Sequence, residues 1–215
     1  MLARSLIPWL RIPVQAPAPD GLDASAWLDQ ARRLEDEGAD EILISTEAAG
    51  SVLVDFVGRL AEALSIPVIS DAGNSAARLD ACLKAGADKS VLEAGSRALA
   101  KAVQTWGPET VIARVHLERH ANAGEAVEAG ACALLASWSA EPDGSVASLR
   151  ALADTTCAPV IAAGPFSAME QVRRSLHEGR AEAVALPVCL LAAAHGVFEV
   201  KRYLAAAGIV VRGMS

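Results

Sequence analysis

The feature that most constrains this chain is a short string that returns four times. Glu37-Gly38-Ala39-Asp40-Glu41-Ile42-Leu43, Ala85-Gly86-Ala87-Asp88-Lys89-Ser90-Val91, Ala129-Gly130-Ala131-Cys132-Ala133-Leu134-Leu135 and Glu178-Gly179-Arg180-Ala181-Glu182-Ala183-Val184 each read as a helix end, a small turn and an apolar strand. Their glycines are spaced by 48, 44 and 49 residues. A helix that stops in a tight turn needs a residue able to take left-handed backbone angles, and glycine does so without steric penalty. The repeat therefore has a backbone cause, and self-similarity at a near-constant period marks an architecture assembled from copies of one unit.

A longer repeat encloses the short one. Ile66-Pro67-Val68-Ile69-Ser70-Asp71-Ala72-Gly73 matches Ala158-Pro159-Val160-Ile161-Ala162-Ala163-Gly164-Pro165, with the two strand-opening prolines 92 residues apart. Proline at a strand's first residue removes no needed ladder hydrogen bond. Quarter repeats nested in a half repeat describe four (βα)2 units in a ring. Strands are predicted at 4–10, 41–46, 67–71, 88–92, 110–116, 132–137, 158–163 and 182–186. Helical spacing fills the intervals, as in Trp27, Leu28, Ala31 and Leu34 over 25–37 and Val52, Phe56, Leu60 and Ala63 over 52–64. Eight strands alternating with helices predict an α/β fold, a (βα)8 TIM barrel in a single domain over 1–215, in preference to an open doubly wound sheet.

Composition narrows the function classes. Apolar residues make up 53% and aromatics 4%, so the core is built from Ala, Val, Leu and Ile, as buried parallel strands require. A formal charge of −7 without any basic stripe argues against nucleic acid as a partner. The longest apolar stretch, 181–194, contains Glu182 and Pro187 and is too short to cross a bilayer. Residues 1–8 lack the long apolar region of a signal peptide, so no membrane partner and a cytoplasmic location are expected. Cys82, Cys132, Cys157 and Cys189 stand singly, away from any histidine cluster. They are expected to be reduced and mostly buried, and neither a metal nor a cofactor is implied.

Certain strings resemble the cyclase subunit of imidazole glycerol phosphate synthase, a histidine-biosynthesis barrel, across nearly the whole chain. They are Met1-Leu2-Ala3-Arg4, Ile7-Pro8, the two Gly-Ala-Asp turns, and Glu199-Val200-Lys201-Arg202-Tyr203-Leu204 followed by Ala207-Gly208-Ile209. The resemblance implies aspartates closing the first and fifth strands, but Arg11 and His116 stand there. It implies phosphate-binding glycines after the third and seventh strands, where Asp71-Ala72-Gly73 and Gly164-Pro165 are found, and a serine after the eighth, where Val188 is found. The loop after the first strand is short and proline-rich, from Pro13 to Pro19. The chain thus reads as a divergent, shortened paralogue. At the strand N-termini the resemblance implies a charged ring that gates ammonia from a docked glutaminase subunit. Glu41 and Lys89 match that ring and Asp88 matches a partner contact, while Ser5 and Ala133 replace charges. Alternatively, Glu41 and Lys89 are an ion pair that plugs the barrel bottom.

Barrel active sites lie at the carboxyl ends of the strands, where this sequence places Arg11, Thr46 or Glu47, Asp71, Glu93, His116, Ser137 and Ser139. The catalytic candidates are His116, Glu93, Arg11 and Asp71. Glu93 and His116 fall on neighbouring strands and can form a carboxylate-imidazole pair, while Arg11 and Asp71 can hold a carboxylate and an amine. Gly73, Ser137, Ser139 and Gly164 are the candidates for binding a small-molecule substrate. The competing account is that Arg11, Asp71 and Glu93 only satisfy one another. His120, His177 and His195 read as surface histidines, and Asp143-Gly144 as a turn. Three uses follow: a repurposed lyase or synthase subunit fed by a glutaminase, a non-catalytic barrel that scaffolds or activates such a partner, or the standard cyclase reaction with displaced groups. A polar rim favours the first; a mouth filled by Trp9, Trp138 and Phe166 favours the second.

Overall fold

A computed structural model describes residues 3–12, 24–47, 50–118, 122–139, 145–194 and 196–214. The expected prolines 13–19, His120, Asp143-Gly144 and His195 lie outside the described residues. Eight parallel strands form a closed barrel in chain order: β1 (Ser5–Ile12), β2 (Ile42–Thr46), β3 (Val68–Asp71), β4 (Lys89–Glu93), β5 (Val111–His116), β6 (Ala133–Ser137), β7 (Val160–Ala163) and β8 (Ala183–Pro187). Closure comes from β8 pairing with β1, in register from Ser5 with Ala183 to Trp9 with Pro187. Around the barrel lie α1 (Ala24–Asp36), α2 (Gly50–Ala63), α3 (Ala76–Lys84), α4 (Leu99–Trp106), α5 (Ala123–Glu128), α6 (Ser145–Thr155), α7 (Met169–His177), α8 (Val188–Ala193) and α9 (Val197–Ala206). The TIM barrel read from the repeats is the observed fold.

Alternation along each strand divides the core into two layers. Leu6, Leu10, Ile42, Ile44, Val68 and Leu134 face the helices, where they meet Leu53, Phe56, Leu60 and Leu79. Ile7, Trp9, Leu43, Ile69, Val91, Ile112, Leu135 and Ile161 fill the barrel itself, with Ala133, Ala163, Ala183 and Ala185 completing the cluster. The alanines of β6 to β8 leave room for Trp9, since a closed barrel interior has a fixed volume to fill.

The repeated turn behaves as its chemistry requires in three of its four copies. Gly38, Gly86 and Gly130 have φ of 90°, 110° and 90°. In the fourth copy the left-handed residue is Arg180, at φ 59°, and not Gly179. Gly179 is small for a different reason: a β-carbon there would come within 2.7 Å of both Leu149 Cδ2 and the Ser175 carbonyl. The aspartates of the first two copies cap neighbouring strands. Asp40 accepts the Leu6 N–H and Asp88 the Val68 N–H, each at 2.8 Å.

Other expectations need correction. Cys82 is buried and Cys132 half-buried, but Cys157 and Cys189 are exposed, because they sit on the turn before β7 and on α8 and not on core-facing strand positions. Among the described residues no helix is long and apolar enough to cross a membrane.

Candidate functional site

The inward parity that places Ile7, Leu43, Ile69, Val91, Ile112 and Leu135 in the barrel interior carries on to the strand ends. There it delivers Arg11 on β1, Ser45 on β2, Asp71 on β3, Glu93 on β4, Arg114 and His116 on β5, and Ser137 on β6. Arg114 organises this set. Its Nη2 lies 2.5 Å from Asp71 Oδ2 and its Nη1 3.4 Å from Glu93 Oε1. Glu93 Oε2 is 3.3 Å from His116 Nε2, and the other ring nitrogen, Nδ1, is 3.1 Å from Ser137 Oγ. One unbroken polar chain therefore crosses four adjacent strand ends, from Asp71 to Ser137.

Burial falls along that chain from Asp71 to His116. The Asp71 and Arg114 side chains are 9% and 13% exposed, whereas His116 is 50% exposed and opens onto the mouth. Asp71 has both oxygens engaged, because Oδ1 accepts the Gly73 N–H at 3.1 Å. Arg114, two residues before His116 and of the same parity, is a site residue that sequence reasoning passed over. The expected mutual neutralisation of Arg11, Asp71 and Glu93 does not form; Arg114 supplies the cation.

Arg11 is occupied otherwise. Its guanidinium carbon lies 3.8 Å from the centroid of the Trp9 ring, a cation-π stack. Trp9 is fixed in turn by its indole N–H, which donates to Ser45 Oγ at 2.8 Å. Burial, followed by the like charge of Arg114, pulls the Arg11 guanidinium below its ordinary range, opposed by Asp71, Cys189 and Glu47.

The mouth holds a cavity of about 830 Å³ lined in part by Arg11, Glu47, Arg78, Arg114, His116 and Ser139. Trp9, Asp71, Gly73, Ser137 and Trp138 also line it, so the mouth is polar and open, not filled by aromatic rings. Ser139 contributes its N–H, which donates to Glu118 Oε1 at 3.3 Å. Gly164 does not line the cavity. A β-carbon built on Gly164 would fall inside the Trp138 indole, so this glycine makes room for that ring. Trp138 packs edge-on against Phe166 at 5.5 Å, and its Nε1 is buried without a hydrogen-bond partner among the described residues.

Chemically, the chain from Glu93 to Ser137 suits proton transfer. A doubly protonated imidazole can donate to Glu93 and to Ser137 at once. A singly protonated ring keeps its Glu93 contact through Nε2–H while Nδ1 accepts from the Ser137 hydroxyl, whose other direction is the Val115 carbonyl at 3.4 Å. The hydroxyl rotates and no heavy atom moves. Among the described residues no group of three or more His, Cys, Asp or Glu is placed to hold a metal ion.

At the opposite end of the barrel, Lys89 Nζ and Glu41 Oε2 pair at 2.8 Å. Beneath them Lys201, only 5% exposed, binds Asp40 at 2.9 Å and donates to the Arg212 carbonyl at 2.7 Å.

No family model matches the sequence. The fold is similar to that of solved barrels. Thiamine phosphate pyrophosphorylase from Pyrococcus furiosus aligns over 96% of this chain and 95% of its own, at 20% identity and a TM-score of 0.65. Dihydropteroate synthase from Xanthomonas albilineans, in complex with 7,8-dihydropteroate, covers 99% and 95% at 17% identity and TM-score 0.68. The dihydropteroate synthase of Coxiella burnetii, in complex with pteroic acid, covers 97% and 93% at 14% identity and TM-score 0.71.

These findings overturn the resemblance to the histidine-biosynthesis cyclase subunit, and with it the cyclase activity, the glutaminase-fed synthase and the glutaminase scaffold. The physical reason lies in the strings that carried the resemblance. Their glycines close helices and their aspartates cap strand N–H groups, work that the barrel's own geometry demands. Glu41 and Lys89 bind each other, and Asp88 is committed to the Val68 N–H, so the supposed gate and partner contact have structural partners within the chain.

Proposed function

We propose that this protein is an enzyme that takes a proton from, and returns it to, a small organic molecule bound in the barrel mouth, with His116 as the acid-base group. The observation that carries the reading is the half-exposed imidazole, held at both nitrogens by groups that tolerate either protonation state. Glu93 orients the ring through Nε2, and Ser137 is the movable neighbour at Nδ1, the nitrogen that exchanges with the ligand. Arg114 and Asp71 anchor Glu93 and act as positioning residues. A placed acid-base group of this kind contributes about 100- to 10,000-fold to a rate. Support also comes from the position, since the carboxyl ends of the strands are where barrel enzymes work. That similar barrels hold small organic ligands, pteroic acid among them, is in keeping with it.

The test is deuterium exchange of carbon-bound protons in a panel of 2-oxo acids, hydroxy acids and dicarboxylates in D2O, followed by proton NMR. At least one compound is expected to exchange, with His116→Asn slowing it by about 100-fold or more and Glu93→Gln by less. Equal exchange by His116→Asn, or binding without exchange across the panel, would sink the proposal.

A further inference from the structure

We infer that the molecule held in this mouth is a small dicarboxylate, with one carboxylate on Arg11 and the other on Arg78. The inference rests on the proton-transfer reading for the fate of the ligand, but its grip belongs to different residues.

Among the described residues three arginines line the cavity, and they differ in what they already hold. Arg114 is already paired with two carboxylates, Asp71 and Glu93. The guanidinium groups of Arg11 and Arg78 make neither a hydrogen bond nor an ion pair among the described residues. The facing acids do not fill the gap. Glu118 accepts from the Ser139 N–H, and Glu47, which also lines the cavity, offsets Arg11 only through the field without an ion pair. Two guanidinium forks in one cavity thus lack acceptors.

Each fork is presented in a defined way. Stacking on Trp9 uses the face of the Arg11 guanidinium and leaves its in-plane N–H edges free, while the Trp9-Ser45 hydrogen bond keeps the platform from turning. Arg78 comes from the first turn of α3 and reaches back to the start of α2. Its Nε is 3.3 Å from the point a β-carbon on Gly50 would occupy, so the missing side chain at Gly50 gives the guanidinium its room. The two cations therefore flank the end of β2. One carboxylate satisfies one fork and leaves the other unmatched in the same cavity.

Carboxylate is favoured over phosphate because the backbone donors that cradle phosphate in barrels are committed here. The Gly73 N–H is given to Asp71, Gly164 is buried against Trp138, and Pro165 has no N–H. What remains are planar side-chain forks, which match planar carboxylates through two parallel hydrogen bonds.

Isothermal titration of the whole protein with glutarate, with butyrate as the single-carboxylate control and with inorganic phosphate, tests the inference. Glutarate is expected to bind at least about tenfold more tightly than butyrate, the equivalent of one charge-assisted hydrogen bond, and phosphate no better than butyrate. Arg11→Met and Arg78→Met should each bring glutarate down to the butyrate level. Arg11→Lys and Arg78→Lys, which keep charge and fold but lose the fork, should recover only part. Equal affinities for glutarate and butyrate, tight phosphate binding, or full glutarate affinity in either methionine variant would overturn it. His116→Asn should retain glutarate binding while losing exchange. Failed exchange with intact binding thus counts against the proton-transfer reading alone, and failed binding with intact exchange against the dicarboxylate alone.

Discussion

The two ends of this barrel are built from the same materials and put them to opposite use. At the base, Lys201 meets Asp40 and the Arg212 carbonyl, Lys89 meets Glu41, and Asp40 and Asp88 cap strand N–H groups. Each of those charges is met from within the fold. At the mouth, Arg114 is matched by two carboxylates, yet Arg11 and Arg78 are left over and His116 is half-exposed. An ion pair across strand ends is therefore no sign of function by itself. What distinguishes a site is unmatched valence facing a cavity.

Substitutions at the two ends break or sharpen this contrast. The largest effect belongs to the base. Asp40→Ala leaves the Lys201 ammonium buried without its carboxylate, which should cost about 3–5 kcal/mol of stability in urea unfolding, as for other buried pairs cut on one side. Ligand binding by the fraction still folded should be unchanged. A loss below about 1 kcal/mol would mean that the base is not the structural end.

Gly164→Ala should be smaller, about 1–3 kcal/mol, because the added methyl group forces the Trp138 indole out of place. Since Trp138 lines the mouth, its fluorescence should shift and ligand affinity should fall with it. An unchanged spectrum would show that the wall adjusts without moving the ring.

The smallest effect concerns the helix layer on the mouth side, where Glu170 at the start of α7 binds Arg173 and the Tyr203 hydroxyl of α9. Those hydrogen bonds, first Arg173 and then Tyr203, pull the Glu170 carboxyl down to about 2. A carboxyl depressed in the folded state contributes stability above its unfolded range and loses it as pH falls through the folded value. Acid unfolding profiles of the parent and Glu170→Gln should therefore differ above pH 4.5 and converge as the pH falls towards about 2. Parallel profiles would mean that the exposed cluster adds nothing to the α7–α9 contact.

Much of the fold is legible in the residues because its causes are local. A helix-ending glycine followed by an apolar run marks where a strand begins, and the observed strands begin within two residues of the expected positions. The pairing of Glu93 with His116 is equally readable, since both close adjacent strands. Arg114 could have been found by counting inward parity back two residues from His116, the one step needed to see why Arg11 does not neutralise Asp71. Arg78 was out of reach, because its place depends on a helix start folding back over Gly50, a contact between turns on different strands. Gly179 misled because its neighbour, Arg180, took the left-handed backbone. The family reading failed for a general reason: Gly-Ala-Asp is what an αβ turn needs, and shared need imitates shared descent.

The base has one more consequence. Arg4 forms a parallel bridge with Val211, its N–H donating to the Val210 carbonyl at 2.8 Å and its carbonyl accepting the Arg212 N–H at 2.9 Å. The first strand and the final turn are thus stitched side by side at the end of the barrel remote from the mouth. Fraying of either segment would have to break both of these hydrogen bonds, and it would do so at the base without disturbing the mouth.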